Sequence, residues 1–360
     1  LQRNLHVFIC FFIGRIKRVN PTPRDLVPGI LLGSLTLVIL VFAHIFSNVW
    51  GYVEPVSPWF RNKFWLPFAL MAGLLSLLAG WKKVAPNDED IPTVDGFSWG
   101  WGALLGLIFL GSALGAFLTT QVWDFTPPDS SLVVMTYNIQ GANHDNGERS
   151  VEDQLALIRQ VNPDILALQE SDTTRVSLNN NDFVRYYAGK LGYYSYYGPT
   201  TVTGTYGTAI LSKYPLLNPR TVFTFSDKDE TGTAEAEIEI DGKIFTIYNV
   251  HPDGSDTAMM VFAKSLLERS AGKSNVISLG DYNLRDYEEA YQLIDQVYTN
   301  AWVSVYPSEI SPQGVDMSGE NRIDHIFFSP DMEVRDPMYI LPPESATDHP
   351  VHWAEIVWGE

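Results

Sequence analysis

The sequence predicts an α-helical membrane region followed by a domain of mixed α and β structure, with helices packed on sheets. Three observations predict it. Long uncharged apolar runs are confined to residues 1–125. After residue 131, short β-type runs alternate with amphipathic helical ones, the pattern of layered sheets and helices. Charge divides the same way: residues 1–120 hold 9 Lys and Arg against 6 Asp and Glu, and the remainder holds 15 against 36, a net of −21.

Three stretches qualify as membrane spans. Leu26–Ser47 is uncharged over 22 positions, Phe64–Trp81 over 18 and Phe97–Thr120 over 24, against the roughly 20 apolar residues that cross about 30 Å of hydrocarbon. Pro28 and Pro67 lie near helix starts, where a missing N–H costs least. Trp50, Tyr52, Trp59, Trp65, Trp81, Trp99, Trp101 and Trp123 sit at the edges, as interfacial aromatics do. Leu5–Ile16 is too short to span alone and reads as an interfacial helix or the remnant of a further span, since the sequence opens on Leu1 rather than Met. The basic tail (Arg3, Arg15, Lys17, Arg18, Arg24) sets a cytoplasmic N-terminus. Three spans then predict an integral membrane protein whose catalytic domain is extracytoplasmic or lumenal. Residues 126–130, with Pro127 and Pro128, read as a short stiff linker, and 131–360 as the catalytic domain. The single cysteine, Cys10, excludes a disulfide framework or thiolate metal site within one chain.

In the second half, Ser131–Tyr137, Asp164–Leu168, Gly207–Leu211, Ala234–Ile240, Ile244–Asn249, Val276–Leu279 and Arg322–Phe328 read as strands. Val151, Leu155, Ile158 and Val161 share one helical face, behind a capping signal of Ser150 and Asp153. A second helix is expected over Asp256–Arg269. The aromatic run Tyr186, Tyr187, Tyr193, Tyr194, Tyr196 and Tyr197 reads first as packing and second as a lipid-facing rim.

Function is carried by polar residues where these strands end. Asn138 closes Met135-Thr136-Tyr137-Asn138-Ile139-Gln140, and Glu170 closes Ile165-Leu166-Ala167-Leu168-Gln169-Glu170. His251 follows Tyr248-Asn249-Val250; Asp281 and Asn283 follow Val276-Ile277-Ser278-Leu279-Gly280. Asp324 lies in Arg322-Ile323-Asp324-His325, and Asp348 and His349 in Ala346-Thr347-Asp348-His349-Pro350. Hydrolysing a phosphoester needs a hard cation on the phosphoryl oxygens, and Mg²⁺ prefers one or two carboxylates with several waters. A carboxylate bonded to one imidazole nitrogen fixes the tautomer, so that the other nitrogen can accept a proton from water.

In this order the segments resemble the signature of the endonuclease/exonuclease/phosphatase superfamily, over about Ser131 to Glu360. The resemblance implies a four-layer α/β sandwich, two packed mixed β-sheets flanked by helices. It implies Mg²⁺, with Mn²⁺ as a substitute, held by Glu170 and by Asn138, whose amide offers its oxygen to the metal or its NH₂ to the phosphate. Asp348–His349 would be the base pair, Asp281 would hold the attacking water or the metal shell, and Asn283 would bond phosphoryl oxygens. Asp324 would orient His251 or complete the metal shell, and His251 would assist the phosphate or leaving oxygen. Pro252-Asp253-Gly254 departs from the apolar residue that usually follows this histidine. His144, His325 and His352 read as packing or surface residues, and His6 and His44 fall in the membrane half.

Further segments, Glu170-Ser171-Asp172-Thr173 through Asn181-Asp182-Phe183, Tyr197-Gly198-Pro199-Thr200 and Tyr206-Gly207-Thr208-Ala209-Ile210-Leu211-Ser212-Lys213-Tyr214-Pro215, resemble the C-terminal domain of membrane proteins that remodel GPI-anchor lipids to ceramide. The implied activity is a membrane-anchored, metal-dependent phosphoesterase acting on a lipid-linked substrate: a GPI-like glycolipid, phosphoinositide or sphingolipid. The implied partners are the bilayer and that lipid. A tethered extracytoplasmic nuclease and a non-catalytic lipid-remodelling scaffold are the alternatives. A net charge of −21 repels a phosphate backbone and argues against nucleic acid.

Overall fold

A computed structural model of the 360-residue chain describes residues 27, 31–39, 99–119, 123–127, 130–171, 181–197, 207–225, 230–319 and 322–359. The chain divides into two compact units, the second of which contains Leu110–Glu360. Residues 31–39 are helical, and α1 spans Trp99–Thr119. The expected span 64–81 and the basic tail lie outside the described residues, as do most of 26–47 and the linker positions 128–129. Among the described residues no helix is long and apolar enough to cross a membrane. Within α1 side chains are described at 103, 104, 106–115 and 118, and all of them are uncharged and exposed.

The rest of the second unit is two six-stranded mixed sheets. The first takes β1 (Ser131–Asn138), β2 (Ile165–Gln169), β3 (Tyr194–Tyr197), β4 (Ala209–Ser212), β11 (Met332–Ile340) and β12 (Val351–Trp358), in the order β11-β12-β1-β2-β4-β3. The second takes β5 (Leu217–Phe225), β6 (Glu230–Ile240), β7 (Lys243–Val250), β8 (Val276–Asp281), β9 (Thr299–Asn300) and β10 (Asp324–Phe328), in the order β5-β6-β7-β8-β10-β9. The period-2 alternation of each strand sorts its side chains between layers. Leu132, Val134, Ile165 and Ala167 of the first sheet meet Phe245, Ile247, Ile277 and Leu279 of the second in one core. The alternate residues Met135, Tyr137, Leu166 and Leu168 pack under α2 (Val151–Val161) and α3 (Phe183–Leu191). Tyr248, Val250 and Val276 pack under α4 (Asp256–Ser270) and α5 (Glu289–Asp295). A short α6 (Ala301–Val305) places Trp302 against Tyr339 and Met317. The fold is two packed mixed sheets flanked by helices.

The expected helix Val151–Val161 forms over that range, but its capping differs. The Ser150 hydroxyl accepts from Gln154 Nε2 at 2.7 Å rather than from the helix backbone, and Asp153 faces His144 at 3.0 Å. The entering chain is docked rather than a free linker. Trp123 N–H donates to the Gly192 carbonyl at 3.0 Å, and Phe125 sits edge-on to Tyr193 at 5.6 Å. The tyrosine run is mostly packing: Tyr187 and Tyr193 are buried, bonding Gln154 at 2.8 Å and the Pro163 carbonyl at 2.6 Å.

Candidate active site

Strand ends from both sheets meet at one pole of the sandwich. β1 and β2 run parallel with Asn138 opposite Gln169, so Asn138 and Glu170 emerge together. β7 and β8 are also parallel, with Val250 opposite Gly280, which brings out His251 beside Asp281. β10 starts antiparallel to β8 with Asp324 directly opposite Asp281, and the loop between β11 and β12 supplies Asp348 and His349. The backbone is bent sharply on leaving these elements. Gln140, Glu170, Asn283 and Ala346 have φ of 49°, 47°, 48° and 55°, a left-handed conformation that non-glycine residues adopt at a cost of about 1–3 kcal/mol and that concentrates at functional sites.

Six of the expected residues converge. The fully buried Asn138 amide donates from Nδ2 to Glu170 Oε1 at 3.2 Å and to Asp281 Oδ2 at 3.1 Å. His251 Nε2 lies 3.5 Å from Asp281 Oδ2, and His349 Nδ1 lies 3.1 Å from Asp324 Oδ2 and 3.8 Å from Asp281 Oδ2.

Two expectations are corrected. His349 is oriented by Asp324, not by its sequence neighbour. Asp348 is exposed and turned away, accepting from Gln140 Nε2 at 2.8 Å and from the Thr347 hydroxyl at 3.2 Å. Adjacent residues in a tight loop point apart, so one of them turns into the site and the other onto β1's exit. Asp324 accordingly serves His349 rather than His251. The Asn138 Oδ1 accepts the Gln140 N–H at 3.1 Å, which leaves one lone pair for a cation. The Asn283 amide donates to the Pro252 carbonyl at 3.0 Å, leaving one N–H for a ligand.

The electrostatics follow from this crowding. Burial, reinforced by the Asp281 charge directly opposite, pushes Asp324 up to about 7 despite its bond to His349. For His349 burial opposes charging, but the Asp324 hydrogen bond and the Asp324, Asp281 and Asp348 carboxylates outweigh it and raise the imidazole to about 10. His349 is thus held as an imidazolium at neutral pH. Burial pushes His325 down to about 3 and His352 well below its usual range, so both are neutral core residues.

The donor set fits a hard divalent cation. The Glu170 and Asp281 carboxylates both accept from the one Asn138 NH₂, which gives the oxygen-rich surroundings Mg²⁺ takes. Among the described residues Asp281, Asp324 and His349 also form a group whose ligand atoms lie within 4.8 Å. The hydrogen bond between Asp324 and His349 already occupies two of those atoms. Asp324 Oδ1 is buried with no hydrogen-bond partner.

Sequence reasoning missed the supports. Gln169 Nε2 donates to Asn249 Oδ1 at 2.7 Å, and Asn249 Nδ2 donates back to the Leu168 and Ala209 carbonyls at 2.8 and 2.7 Å. This buried crossing ties the two sheets together one residue behind Glu170. An amide at a position facing the inter-sheet core was the available signal.

The chain belongs to the endonuclease/exonuclease/phosphatase family, whose model matches residues 135–349. The enzymes after which that family is named hydrolyse phosphoester bonds. The chain is also similar to Protein cwh43 of Schizosaccharomyces pombe, with 29% identity over 244 residues, 62% of this chain and 25% of that protein. It therefore spans about a quarter of that relative's length. The fold is that of the endonuclease/exonuclease/phosphatase from Bacteroides vulgatus, with a TM-score of 0.50 and 18% identity, covering 64% of this chain and 100% of that one. D. rerio TDP2, solved with a single-strand DNA product, is similar at a TM-score of 0.49 and 18% identity, over 63% of this chain and 99% of that one.

Proposed function

We propose that the chain is a membrane-anchored, divalent-metal-dependent phosphoester hydrolase acting on a lipid-linked phosphodiester or phosphomonoester. The convergence of Asn138, Glu170, His251, Asp281, Asp324 and His349 at one pole carries the reading. Glu170 would hold the cation. When bound there, Mg²⁺ supplies positive charge to the phosphoryl oxygens. The imidazolium of His349, held through Nδ1 by Asp324, presents Nε2–H as a fixed donor to a phosphoryl oxygen, a preorganised positive group of the kind that stabilises developing charge. The attacking water's proton passes to Asp281, whose Oδ1 is anchored by the Asn283 N–H at 3.0 Å. His251, on the other side of Asp281, is placed to protonate the leaving oxygen.

Support for anchoring comes from α1 and the relative. Leu107, Ile108, Phe109 and Leu110 are four consecutive exposed residues, and successive helical positions point in all directions, so α1 is apolar on every side over that turn. Lipid linkage of the substrate rests on that anchor and on the similarity to Protein cwh43. Phosphate or alcohol release from a panel of phosphoinositides, a GPI-like glycolipid, sphingomyelin and DNA tests the reading. Hydrolysis of a lipid ester that stops in EDTA and returns with Mg²⁺ is expected, with calorimetric Mg²⁺ binding weakened in Glu170→Gln. Full activity in EDTA would overturn the metal reading, and preference for DNA would overturn the substrate.

A further inference from the structure

The loop that carries His349 is held by side chains rather than by regular structure. β11 ends at Ile340 and β12 begins at Val351, and residues 341–350 between them form turns and bends. Residues 341–344 are exposed, 345–347 are buried, and the chain is exposed again at Asp348. The buried turn is gripped from β1 and α2. The Tyr137 hydroxyl donates to the Ser345 carbonyl at 2.5 Å, and Gln154 Nε2 donates to the Ala346 carbonyl at 2.9 Å. Ala346 is the residue held at a φ of 55°, and such a conformation persists only where its surroundings over-determine it. Tyr137 and Gln154 are both fully buried, so neither can touch a substrate.

The same two residues adjoin the cation side of the site. Tyr137 directly precedes Asn138 on β1. Gln154 Nε2 donates at 3.1 Å to the carbonyl of Ile139, the residue directly after Asn138. Ile139 N–H in turn donates at 3.1 Å to the carbonyl of Gln169, directly before Glu170. Gln154 is itself fixed: its Oε1 accepts the Tyr187 hydroxyl at 2.8 Å, and its Nε2 also meets the Ser150 hydroxyl at 2.7 Å. One amide therefore bridges the backbone beside Asn138 and Glu170 to the backbone at Ala346, just ahead of His349. On the hydrolase reading above, a phosphoryl group must be met at once by the cation at Glu170 and by His349 Nε2–H. We infer that Tyr137 and Gln154 are positioning residues that set the span between those two groups, and that turnover depends on them although the chemistry never reaches them. An error of about 1 Å in such a span can cost roughly 10²-fold in rate, more than one hydrogen bond is usually worth to folding.

The test uses the full chain, Mg²⁺ and a water-soluble bis(nitrophenyl) phosphodiester. Tyr137→Phe removes the hydroxyl that grips Ser345. Its control is Tyr193→Phe, which removes the same kind of bond, a buried tyrosine hydroxyl on the Pro163 carbonyl at 2.6 Å, ahead of the start of β2. Both variants should unfold at similarly lowered urea concentrations. Tyr137→Phe alone is expected to lose kcat, by about tenfold or more, with KM and calorimetric Mg²⁺ binding unchanged. Gln154→Met, of similar shape but without the amide, should lose at least as much. Amide hydrogen exchange at 345–347 should quicken in Tyr137→Phe and not in Tyr193→Phe. In a His349→Ala background, Tyr137→Phe should cost almost nothing further, because it acts through that imidazole. Equal kcat in the two tyrosine variants, or losses that multiply with that of His349→Ala, would overturn the inference and leave the hydrolase reading standing. No hydrolysis by wild type with Mg²⁺ would overturn the hydrolase reading and the positioning role with it.

Discussion

At His349 the decisive partner is Asp324, a residue 25 positions away that no local pattern connects to it. The two should therefore fail as one unit. His349→Ala is expected to lower kcat by roughly 10²–10³, the loss typical of removing a preorganised donor. Asp324→Asn should come close to it, and the double variant should lose little more. Asp348→Asn, which weakens its bonds with Gln140 and Thr347 and removes a charge near His349, is expected to lose less than about tenfold, since Asp348 is exposed and does not bond His349. The pH dependence has a definite sign. The His349 pKa is raised, so the imidazolium persists through neutrality and is lost only as pH rises toward about 10. The profile of kcat/KM should carry a descending alkaline limb that is missing from the residual rate of His349→Ala. An ascending limb assigned to His349 would restore it as the base. All eight expected site residues are at the strand ends and loops where their sequence segments place them. What could not be read is the pairing, because a hydrogen bond between Asp324 and His349 depends on how β10 and the β11–β12 loop come together in space.

Elements follow the same division. The strongly apolar strands β1, β2, β7 and β8 and the amphipathic α2 were legible, since period and composition agree there. β5, β11 and β12 were not, because Arg220, Arg335, Asp336 and Glu355 interrupt their patterns with charges, and sheet pairing overrides local preference. One glycine shows how tightly the readable strands are fitted. At Gly280, next to Asp281, a Cβ would meet the Val250 carbonyl oxygen at 2.1 Å, and backbone cannot swing aside as a flexible side chain can. Gly280→Ala must push β7 and β8 apart between His251 and Asp281. It is expected to cost at least the roughly 1–3 kcal/mol of an overpacked core, measured as a lowered denaturation midpoint. Mg²⁺-dependent turnover should fall by more than the unfolded fraction explains. Unchanged stability would mean that the two strands are not in this register.

Across the whole molecule, the acidity that argues against nucleic acid is also managed internally. Glu235 on β6 is buried and held by Arg220, Arg269 at 2.6 Å and Lys273 at 3.1 Å. Burial opposes its charge, but the three cations prevail and lower it to about 2. Because the folded value is depressed, the stabilisation is complete above the unfolded pKa of about 4.5 and is lost as pH falls through about 2. A shift of this size is worth about 3 kcal/mol. Glu235→Gln should be less stable than wild type by about that amount at pH 7, the difference shrinking between pH 5 and pH 2. Urea titrations across that range check it, and a difference that grows on acidification would reverse the argument.

The strand order holds a consequence for how the protein is made. β1 is flanked by β2 and β12, with Ser131 opposite Val357, so one of the first strand's two neighbours emerges from the ribosome after every other strand of the domain. Until then β1 presents an unpaired edge and its apolar faces wait for partners, a template for pairing with the wrong chain. Such long-range closure also slows folding. The catalytic loop shares that delay, since His349 lies just before β12. Synthesis therefore supplies the last neighbour of β1 and the loop that carries His349 in the same final stretch of chain.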